Sequence, residues 1–402
     1  MDKVKRVSGP ERGEAHGAVS LPGFFTGKKV LVTGDTGFKG SWLSLWLNDL
    51  GAKVSGLALD PNTTPSLFRI LRLEELVSHH RIDVRDVPAL GEMVGKVRPD
   101  VVFHLAAQAL VRVSYREPLE TVETNVLGTA NLLEAVRQAG YSGAHPCTVI
   151  VVTSDKCYEN RETYYAYREE DRMGGHDIYS MSKGAVELLV SSWRNSFFPA
   201  AAVDRHGVSL ATARAGNVIG GGDWSQDRIV ADCVRSLVKG EAIAVRNPRA
   251  VRPWQHVLEP LSGYLHLGAA LGSAAGRNPD LLSAWNFGPG PESERTVGEL
   301  AETLVREWGS GEWKHTPEDG AAHEAHYLKL AVDKARHLLG WKPVWSFERA
   351  VRETVRWYRK SEECGHQSEA MRELCREQIG SYSGDARRLG VGWSPESEAG
   401  SA

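Results

Sequence analysis

Three glycines spaced three residues apart, Gly34, Gly37 and Gly40, constrain the fold of this chain more than any other feature. They follow a short apolar, β-branched segment at 28–33 (KKVLVT) and precede an apolar helical pattern at 41–52 (SWLSLWLNDLGA). Glycines let the backbone turn tightly and approach a ligand closely, and the first turn of a helix leaves backbone N–H groups unpaired. A strand, a glycine-rich turn and a helix in this order therefore predict a phosphate-binding βα unit.

Further strand and helix patterns extend this unit into a sheet. Strands are predicted at 53–60, 79–84, 100–105, 147–154 and 208–214, with helices at 119–139 and 179–194. The segment 100–105 is continuously apolar, which is typical of a parallel strand covered on both faces. Strands alternating with helices predict an α/β fold with a Rossmann-type doubly wound parallel sheet.

The residue at the end of the second predicted strand indicates which dinucleotide binds. Asp60 follows the glycine loop by 20 residues. A carboxylate there accepts hydrogen bonds from the adenosine ribose and repels a 2′-phosphate, so NAD is favoured over NADP. Asp83 and Val84, after the next strand, are placed to contact the adenine. The loop residues Gly34, Thr36, Gly37, Phe38, Lys39 and Gly40 complete the predicted cofactor site.

A tyrosine and a lysine four residues apart, Tyr179 and Lys183, lie on one face of a predicted helix. A free tyrosine has a pKa of about 10, which is too high for efficient base catalysis at neutral pH. A nearby ammonium stabilises the phenolate and lowers that pKa. We therefore predict that Tyr179 is a catalytic base and Lys183 its electrostatic partner.

Polar residues close the strand predicted at 147–154. Ser154, Asp155 and Lys156 present a hydroxyl, a carboxyl group and an amine. The carboxyl ends of parallel strands face the ligand crevice, which places this trio beside the predicted nicotinamide. A polar strand exit without a chemical role explains the same residues equally well at this level.

The bulk composition excludes several classes. A formal net charge of -3 over 402 residues provides no general attraction for nucleic acid or an anionic membrane. We find no apolar run of membrane-spanning length and no secretory signal. Five cysteines without a CxxC pair indicate neither a disulfide framework nor a metal site, so we expect a cytoplasmic protein without a bound metal.

The motifs together resemble the extended short-chain dehydrogenase/reductase superfamily, and within it the CDP-glucose 4,6-dehydratases. The resemblance runs from about residue 24 to 382. The stretches that carry it are TGDTGFKGSWL at 33–43, AAQALVRVSY at 106–115, TSDKCYEN at 153–160, GNVIGGGDW at 216–224 and RPWQHVLEPLSGY at 252–264. It adds Leu105, Ala106, Ala107 and Thr153 to the expected NAD site.

The resemblance also implies roles for the polar trio. Ser154 would hydrogen-bond the C4 oxygen of the sugar, and Asp155 would protonate the departing C6 hydroxyl. Lys156 stands where dTDP-glucose dehydratases carry Glu and CDP-glucose dehydratases carry Lys, so the implied C5 base is an amine. The implied product is a 4-keto-6-deoxy sugar nucleotide, formed by oxidation at C4, loss of water across C5 and C6, and reduction at C6. Homodimers or higher homo-oligomers are common in this family.

The diphosphate of such a substrate requires cations. Arginine forks match phosphate oxygens, so Arg112, Arg228 and Arg252 are candidate ligands. Asn125, Asn217 and Trp254 are candidates for orienting the sugar or the nucleotide, although Trp254 could equally be a packing residue.

The pattern loosens after about residue 215, which suggests a second domain. We expect an NAD-binding domain over 24–215 and a smaller mixed α/β substrate-binding domain over 216–382, with segments that return to the sheet. Short helices are expected at 296–307 and 332–339, and one more around 367–378. Residues 1–23 and 383–402 are expected to be disordered tails.

Three alternatives remain open from the residues alone. A sugar-nucleotide 4-epimerase would keep Tyr179, Lys183 and the glycine loop, but it would need neither Asp155 nor Lys156. Another dehydratase could act on dTDP-glucose or GDP-mannose. An NAD-sensing binding protein could use the same fold without catalysis.

Overall fold

The computed structural model describes residues 19–274, 278–317 and 327–393. Its centre is a seven-stranded sheet whose neighbouring strands all pair in parallel. The strands are β1 (Lys29–Thr33), β2 (Lys53–Ala58), β3 (Ser78–Arg81), β4 (Val101–His104), β5 (Cys147–Val152), β6 (Val208–Arg214) and β7 (Ala284–Asn286). Their order across the sheet is β7-β6-β5-β4-β1-β2-β3. The order reverses between β1 and β4, which is where ligands bind in doubly wound sheets.

The predicted fold class is confirmed, and most predicted strands lie within a few residues of their observed bounds. The strand predicted at 208–214 matches β6 residue for residue. The strand predicted at 79–84 is the least accurate, because β3 starts at Ser78 and ends at Arg81. There the Arg85 side chain and backbone bind the Asp83 carboxylate, and this local turn ends the extended chain.

Helices cover both faces of the sheet. The longer ones are α1 (Phe38–Asp49), α2 (Val87–Val97), α3 (Gly128–Gln138), α4 (Ile178–Ser196), α5 (Ile229–Lys239), α6 (Leu258–Ala274), α7 (Val297–Trp308), α8 (Phe347–Glu363) and α9 (Ser368–Arg388). Shorter α-helices span Leu21–Phe25, Leu67–Ile70, Val111–Arg116, Pro118–Val122 and Val203–His206. The helix predicted at 119–139 is interrupted by a π-helical turn at Glu123–Leu127. A second π-helical turn, Ala335–Leu339, lies where a short helix is predicted at 332–339.

Small ladders shape the later half of the chain. They pair Val218–Ile219 with Gln255–His256, Ile243–Val245 with Trp313–His315, and Val251–Pro253 with Glu294–Thr296. Strand β7 returns from this half to the edge of the main sheet beside β6.

The chain end differs from the sequence prediction. We expected a disordered tail from residue 383, but α9 continues to Arg388 and Trp393 is buried. Tyr382 stacks on Trp393 with ring centres 5.9 Å apart, and both rings pack against Trp46 of α1. The helix expected around 367–378 is therefore present, but it is ten residues longer than predicted, because charged residues surround its narrow apolar face beyond residue 378. Helix α8, in contrast, was not predicted.

The N-terminal expectation is also wrong in part. Residues 1–18 lie outside the described residues, but Leu21–Phe25 is a short helix with Leu21 and Phe25 buried.

One apolar cluster runs through most of the described chain. It begins at Leu21, includes strand residues such as Val32 and Ile150, and ends at Trp393. The two predicted domains therefore share core packing, and the boundary at 215/216 stays a prediction. Within the described residues, no helix is both long and apolar enough to cross a membrane.

Candidate active site

A cavity of about 1050 Å³ lies at the carboxyl ends of the sheet strands, between the sheet and the later half of the chain. Almost all of the predicted site residues line it. They are Gly34, Thr36, Gly37, Phe38, Lys39, Gly40, Asp60, Asp83, Val84, Leu105, Ala106, Ala107, Arg112, Thr153, Ser154, Asp155, Lys156, Tyr179, Lys183, Asn217, Arg228, Arg252 and Trp254. Segments far apart in sequence therefore meet in one crevice.

The glycine loop is too tightly packed to hold side chains. Gly34 has a φ of +76°, and a Cβ there would lie 2.7 Å from the backbone nitrogen of Ala106. A Cβ on Gly40 would lie 2.0 Å from the carbonyl oxygen of Gly34. Gly37 is the N-cap of α1 and has no side-chain cap, so the first N–H groups of the helix stay available for an anion. The loop therefore fits a dinucleotide pyrophosphate.

Two acidic residues, Asp60 and Asp83, line the cavity just beyond the ends of β2 and β3. The Asp60 carboxylate is half exposed, and the Arg81 guanidinium holds it at 2.8 Å. The hydrogen bond from Arg85 holds the pKa of Asp83 below its usual value, so this carboxylate is ionised at neutral pH. Val84 is buried and packs against Gly128: a Cβ on Gly128 would lie 2.6 Å from Cγ2 of Val84. These positions suit the adenosine half of NAD.

A hydrogen-bonded chain fixes the loop after β4. The Thr33 hydroxyl lies 2.7 Å from Nδ1 of His104 and accepts a hydrogen bond from the backbone of Ala106. Nε2 of His104 lies 2.9 Å from the Thr129 hydroxyl. Burial lowers the pKa of His104 to about 3, so the ring is neutral and links β1, β4 and α3.

Tyr179 and Lys183 lie in the first turns of α4. Asp177 caps this helix by accepting a hydrogen bond from the Ser180 backbone at 2.9 Å. Both site residues are buried, and Lys183 Nζ lies 3.5 Å from the carbonyl oxygen of Val152. Burial lowers the pKa of Lys183 to about 8, against the opposing charge of Glu187.

The electrostatics of Tyr179 are mixed. Burial raises the pKa of its phenol, whereas the positive charge of Arg228 and a hydrogen bond with Ser154 lower it. The protein groups alone therefore leave the phenol protonated at neutral pH, with two partners that favour the phenolate.

The polar trio after β5 is arranged around Asp155. The Ser154 hydroxyl donates to Asp155 Oδ1 at 2.8 Å and accepts from the backbone of Lys156 at 3.3 Å. The amide of Asn217 donates to Asp155 Oδ2 at 3.4 Å. Asp155 thus has a fixed orientation next to the Ser154–Tyr179 pair, and Lys156 is partly exposed on the cavity wall.

A buried ion pair between Glu187 of α4 and Arg214 of β6 links this helix to the sheet. Glu187 accepts hydrogen bonds from Thr153 at 2.5 Å, from Thr212 at 2.7 Å, and from two nitrogens of Arg214 at 2.8 and 2.9 Å. The Thr153 hydroxyl is therefore engaged within the protein, although Thr153 lines the cavity. The network fixes the end of β5 against α4.

Lys39 extends from the glycine loop towards the catalytic groups. Its ammonium lies 5.9 Å from the ring centre of the buried Tyr264. Burial and the charge of Arg228 lower the pKa of Lys39 to about 8, against the opposing charge of Asp155. Lys39, which was predicted only as part of the NAD loop, is therefore close enough to Asp155 and Arg228 to feel their charges.

The predicted substrate ligands Arg112, Arg228, Arg252 and Trp254 also line the cavity. Arg112 Nε lies 3.5 Å from Asp227, Arg228 donates to the Ala109 carbonyl at 3.3 Å, and Arg252 donates to the Val251 carbonyl at 2.8 Å. Trp254 is buried, and its indole N–H donates to the Arg295 carbonyl at 3.1 Å, so packing accounts for most of its side chain.

Asn125 does not line the cavity, contrary to the prediction. Its side chain accepts a hydrogen bond from the Gln108 backbone at 2.8 Å and donates to the Gln108 carbonyl at 3.0 Å. It also donates to the Ser182 hydroxyl at 2.9 Å. Asn125 is buried and connects the loop after β4 with α4, which is a structural function.

Sequence reasoning missed several charged residues that line the cavity, among them Asp227 and Arg246. Arg246 lies in a segment with three arginines, Arg246, Arg249 and Arg252, and that cluster was the available signal.

Comparison with known proteins identifies similar sequences. A sequence model of the family described as GDP-mannose 4,6 dehydratase matches residues 31–265. CDP-glucose 4,6-dehydratase of Salmonella typhimurium is 49% identical over 336 residues, which cover 84% of this chain and 92% of that protein. The dTDP-glucose 4,6-dehydratase 1 of Escherichia coli is 26% identical and covers 82% of this chain and 92% of that protein.

Solved structures share the fold. A dTDP-glucose 4,6-dehydratase from Bacillus anthracis, solved in complex with NAD, superimposes with a TM-score of 0.67 at 20% identity, over 83% of this chain and 97% of that one. A UDP-glucose 4-epimerase from Thermotoga maritima, solved with UDP-glucose, gives a TM-score of 0.67 at 22% identity, over 83% and 99% of the two chains.

Proposed function

The chain belongs to the GDP-mannose 4,6-dehydratase family, and we propose that it converts CDP-glucose into CDP-4-keto-6-deoxyglucose with NAD as its cofactor. The substrate assignment is supported by the 49% identity with the Salmonella CDP-glucose 4,6-dehydratase and by Lys156 after Asp155. The assignment to a dehydratase rests on one observation. Asp155 and Lys156 lie at the same strand end as Ser154, and a 4-epimerase needs neither group.

The proposed chemistry begins at C4 of the sugar. Tyr179 takes the proton of the C4 hydroxyl, Ser154 hydrogen-bonds the same oxygen, and the Lys183 ammonium stabilises the phenolate. The glycine loop, Asp60 and the loop after β4 would hold NAD, whose nicotinamide supplies an acceptor that takes a hydride from the sugar and later returns it.

Elimination of water then requires an acid and a base. The ketone at C4 acidifies the C5–H bond, and the Lys156 amine in its uncharged form removes that proton. Asp155 protonates the C6 oxygen as the C6–O bond breaks, so one water molecule leaves and a C5–C6 double bond forms. Asp155 is positioned for this step by Ser154 and Asn217, which bind its two oxygens. Return of the hydride to C6, with return of the proton from Lys156 to C5, would saturate that bond and give the 6-deoxy product.

A substrate panel tests the proposal. The purified protein with NAD is incubated separately with CDP-glucose, dTDP-glucose, UDP-glucose and GDP-mannose, and the products are analysed by mass spectrometry. Loss of one water molecule from CDP-glucose alone is the expected result. Inversion at C4 without loss of water would contradict the dehydratase assignment, and loss of water from another sugar nucleotide would contradict the base preference.

We further infer that the protein is a cytoplasmic homodimer or higher homo-oligomer. Exposed apolar side chains on neighbouring helical segments support self-association: Leu119, Leu127, Met181 and Leu188. The cytoplasmic assignment rests on the cysteine pattern. Light scattering of the wild type and of Leu188→Glu tests the association; a monomeric wild type would contradict it.

A further inference from the structure

Asp227 occupies the space between two arginines on the cavity wall. Its carboxylate lies 3.5 Å from Arg112 Nε and 3.6 Å from Arg246 Nη1. Arg112 belongs to the short helix Val111–Arg116 of the first half of the chain, whereas Arg246 follows the strand Ile243–Val245 of the later half. All three residues line the cavity, so one carboxylate joins its two sides.

These contacts are loose compared with a structural ion pair. Charge-assisted N–H···O bonds have lengths of about 2.7–2.9 Å. The side chains of Arg112, Arg246 and Asp227 are 34%, 34% and 37% exposed, which makes such pairs weak and readily exchanged. Within the same chain, the Arg214–Glu187 pair has a distance of 2.8 Å and exposures of 3% and 4%. Asp227 therefore does not have the environment of a group that stabilises the fold.

The backbone holds this carboxylate at the site. Asp227 has a φ of 59°, a left-handed conformation that Asp and Asn adopt more readily than most other residues. It follows the exposed Gln226 and precedes Arg228, whose side chain donates to the Ala109 carbonyl across the same wall. The backbone of this segment thus places the Asp227 carboxylate beside the guanidinium groups of Arg112 and Arg246.

We infer that Asp227 is an internal counter-ion, and that the diphosphate of the nucleotide sugar displaces it from Arg112 and Arg246. A diphosphate carries more negative charge than a carboxylate and offers more oxygens to two arginine forks, so the exchange favours the ligand. This inference rests on the proposed function, because it takes a sugar nucleotide as the occupant of the cavity. It adds Arg246 to the expected diphosphate ligands.

The exchange predicts the direction in which loss of the Asp227 charge changes the affinity for a diphosphate. Removal of the Asp227 charge eliminates the competing anion, so a diphosphate ligand binds more tightly. Asp227→Asn is the suitable variant, because Asn keeps the shape and tolerates the left-handed backbone. If Asp227 instead holds the two arginines in place for the ligand, the same variant binds the ligand more weakly.

Calorimetric titration of the full, NAD-loaded chain with CDP and with cytidine separates these outcomes. We expect Asp227→Asn to bind CDP about two- to fivefold more tightly than the wild type, the range of a partly exposed ion pair, and to bind cytidine equally well. The matched control is Glu348→Gln, which removes a half-exposed carboxylate that lies 3.5 Å from Arg295 and is not among the described residues that line the cavity, and which should leave CDP binding unchanged. Unchanged or weaker CDP binding by a folded Asp227→Asn protein would overturn the inference.

A second variant keeps the test decisive if Asp227→Asn does not fold. Arg246→Ala should weaken binding of CDP but not of cytidine, and it should reduce the gain caused by Asp227→Asn in the double variant. CDP binding by Arg246→Ala equal to that of the wild type would overturn the inference. The titrations do not depend on turnover, so failure of CDP-glucose to lose water would contradict the proposed function while leaving the CDP-to-cytidine comparison valid.

Discussion

Gly216 packs directly against the Asp155 carboxylate: a Cβ at position 216 would lie 2.0 Å from Asp155 Oδ2. The proposed acid therefore depends on a glycine 61 residues away in the sequence, at the start of the segment that follows β6. A side chain at position 216 should therefore displace the Asp155 carboxylate while the fold is kept.

Gly216→Ala should reduce kcat by about 10- to 100-fold, because a displacement of about 1 Å at a reacting group has this effect. The whole carboxyl group must move away from its hydrogen bonds with Ser154 and Asn217, so a modest fall in the unfolding temperature should accompany the loss of kcat. Gly95→Ala is the control, since a Cβ there meets nothing within 4 Å. Wild-type kcat in Gly216→Ala would contradict the role of Asp155.

Tyr179→Phe should lose C4 oxidation, because only the phenolic oxygen is removed. We expect product formation to fall by about 10²- to 10⁴-fold, the usual contribution of a general base. The absorbance of enzyme-bound NADH after mixing with CDP-glucose measures the step directly. Tyr165→Phe changes an exposed tyrosine and serves as the control. Near-normal turnover of Tyr179→Phe would remove it from the mechanism.

Lys156→Ala should separate oxidation from elimination. Tyr179, Ser154 and Lys183 remain, so NADH should still form, but the C5 proton has no base and water is retained. Mass spectrometry in deuterated solvent checks this: we expect no deuterium at C5 and no dehydrated product. Unchanged dehydration would assign the C5 proton to another group.

The pKa of Lys183 predicts how stability depends on pH. Burial lowers that pKa from 10.5 to about 8, so below about pH 8 the folded protein holds a buried ammonium that the unfolded chain would solvate. Between about pH 8 and pH 10.5 the unfolded chain binds more protons than the folded chain, so the contribution of Lys183 to the free energy of unfolding rises with pH.

Lys183→Met should therefore be more stable than the wild type below about pH 8, by on the order of 3 kcal/mol, with the difference disappearing towards pH 10.5. Urea denaturation at a series of pH values, without added NAD, measures it. Parallel pH profiles for the two proteins would contradict the buried ammonium.

Asn125→Ala should destabilise the fold, because it leaves backbone groups of Gln108 and the Ser182 hydroxyl without their partner. A buried group left unpaired costs about 1–3 kcal/mol. Asn131→Ala removes a single side-chain bond to the Val84 carbonyl and should cost less. Equal unfolding temperatures for Asn125→Ala and the wild type would contradict the structural role.

Several features were predictable because their signals are local. The glycine loop, the strand at 208–214 and the Tyr179–Lys183 spacing each depend on residues that are close in the sequence, where backbone sterics and helical periodicity act. The second half was less predictable. The part of helix α9 beyond residue 378, which was not predicted, is stabilised by aromatic contacts of Tyr382 with Trp46 and Trp393, which no local pattern reveals.

The amino-acid sequence by itself determined the parallel sheet, the dinucleotide loop and the identity of the groups available for chemistry, because these follow from periodicity, glycine placement and residue type. Only the tertiary structure decided which of those groups share a cavity. It brought Gly216 against Asp155 and Asp227 between Arg112 and Arg246, and it placed Asn125 in the core. Long-range packing makes these contacts, and the side chains they join are far apart along the chain.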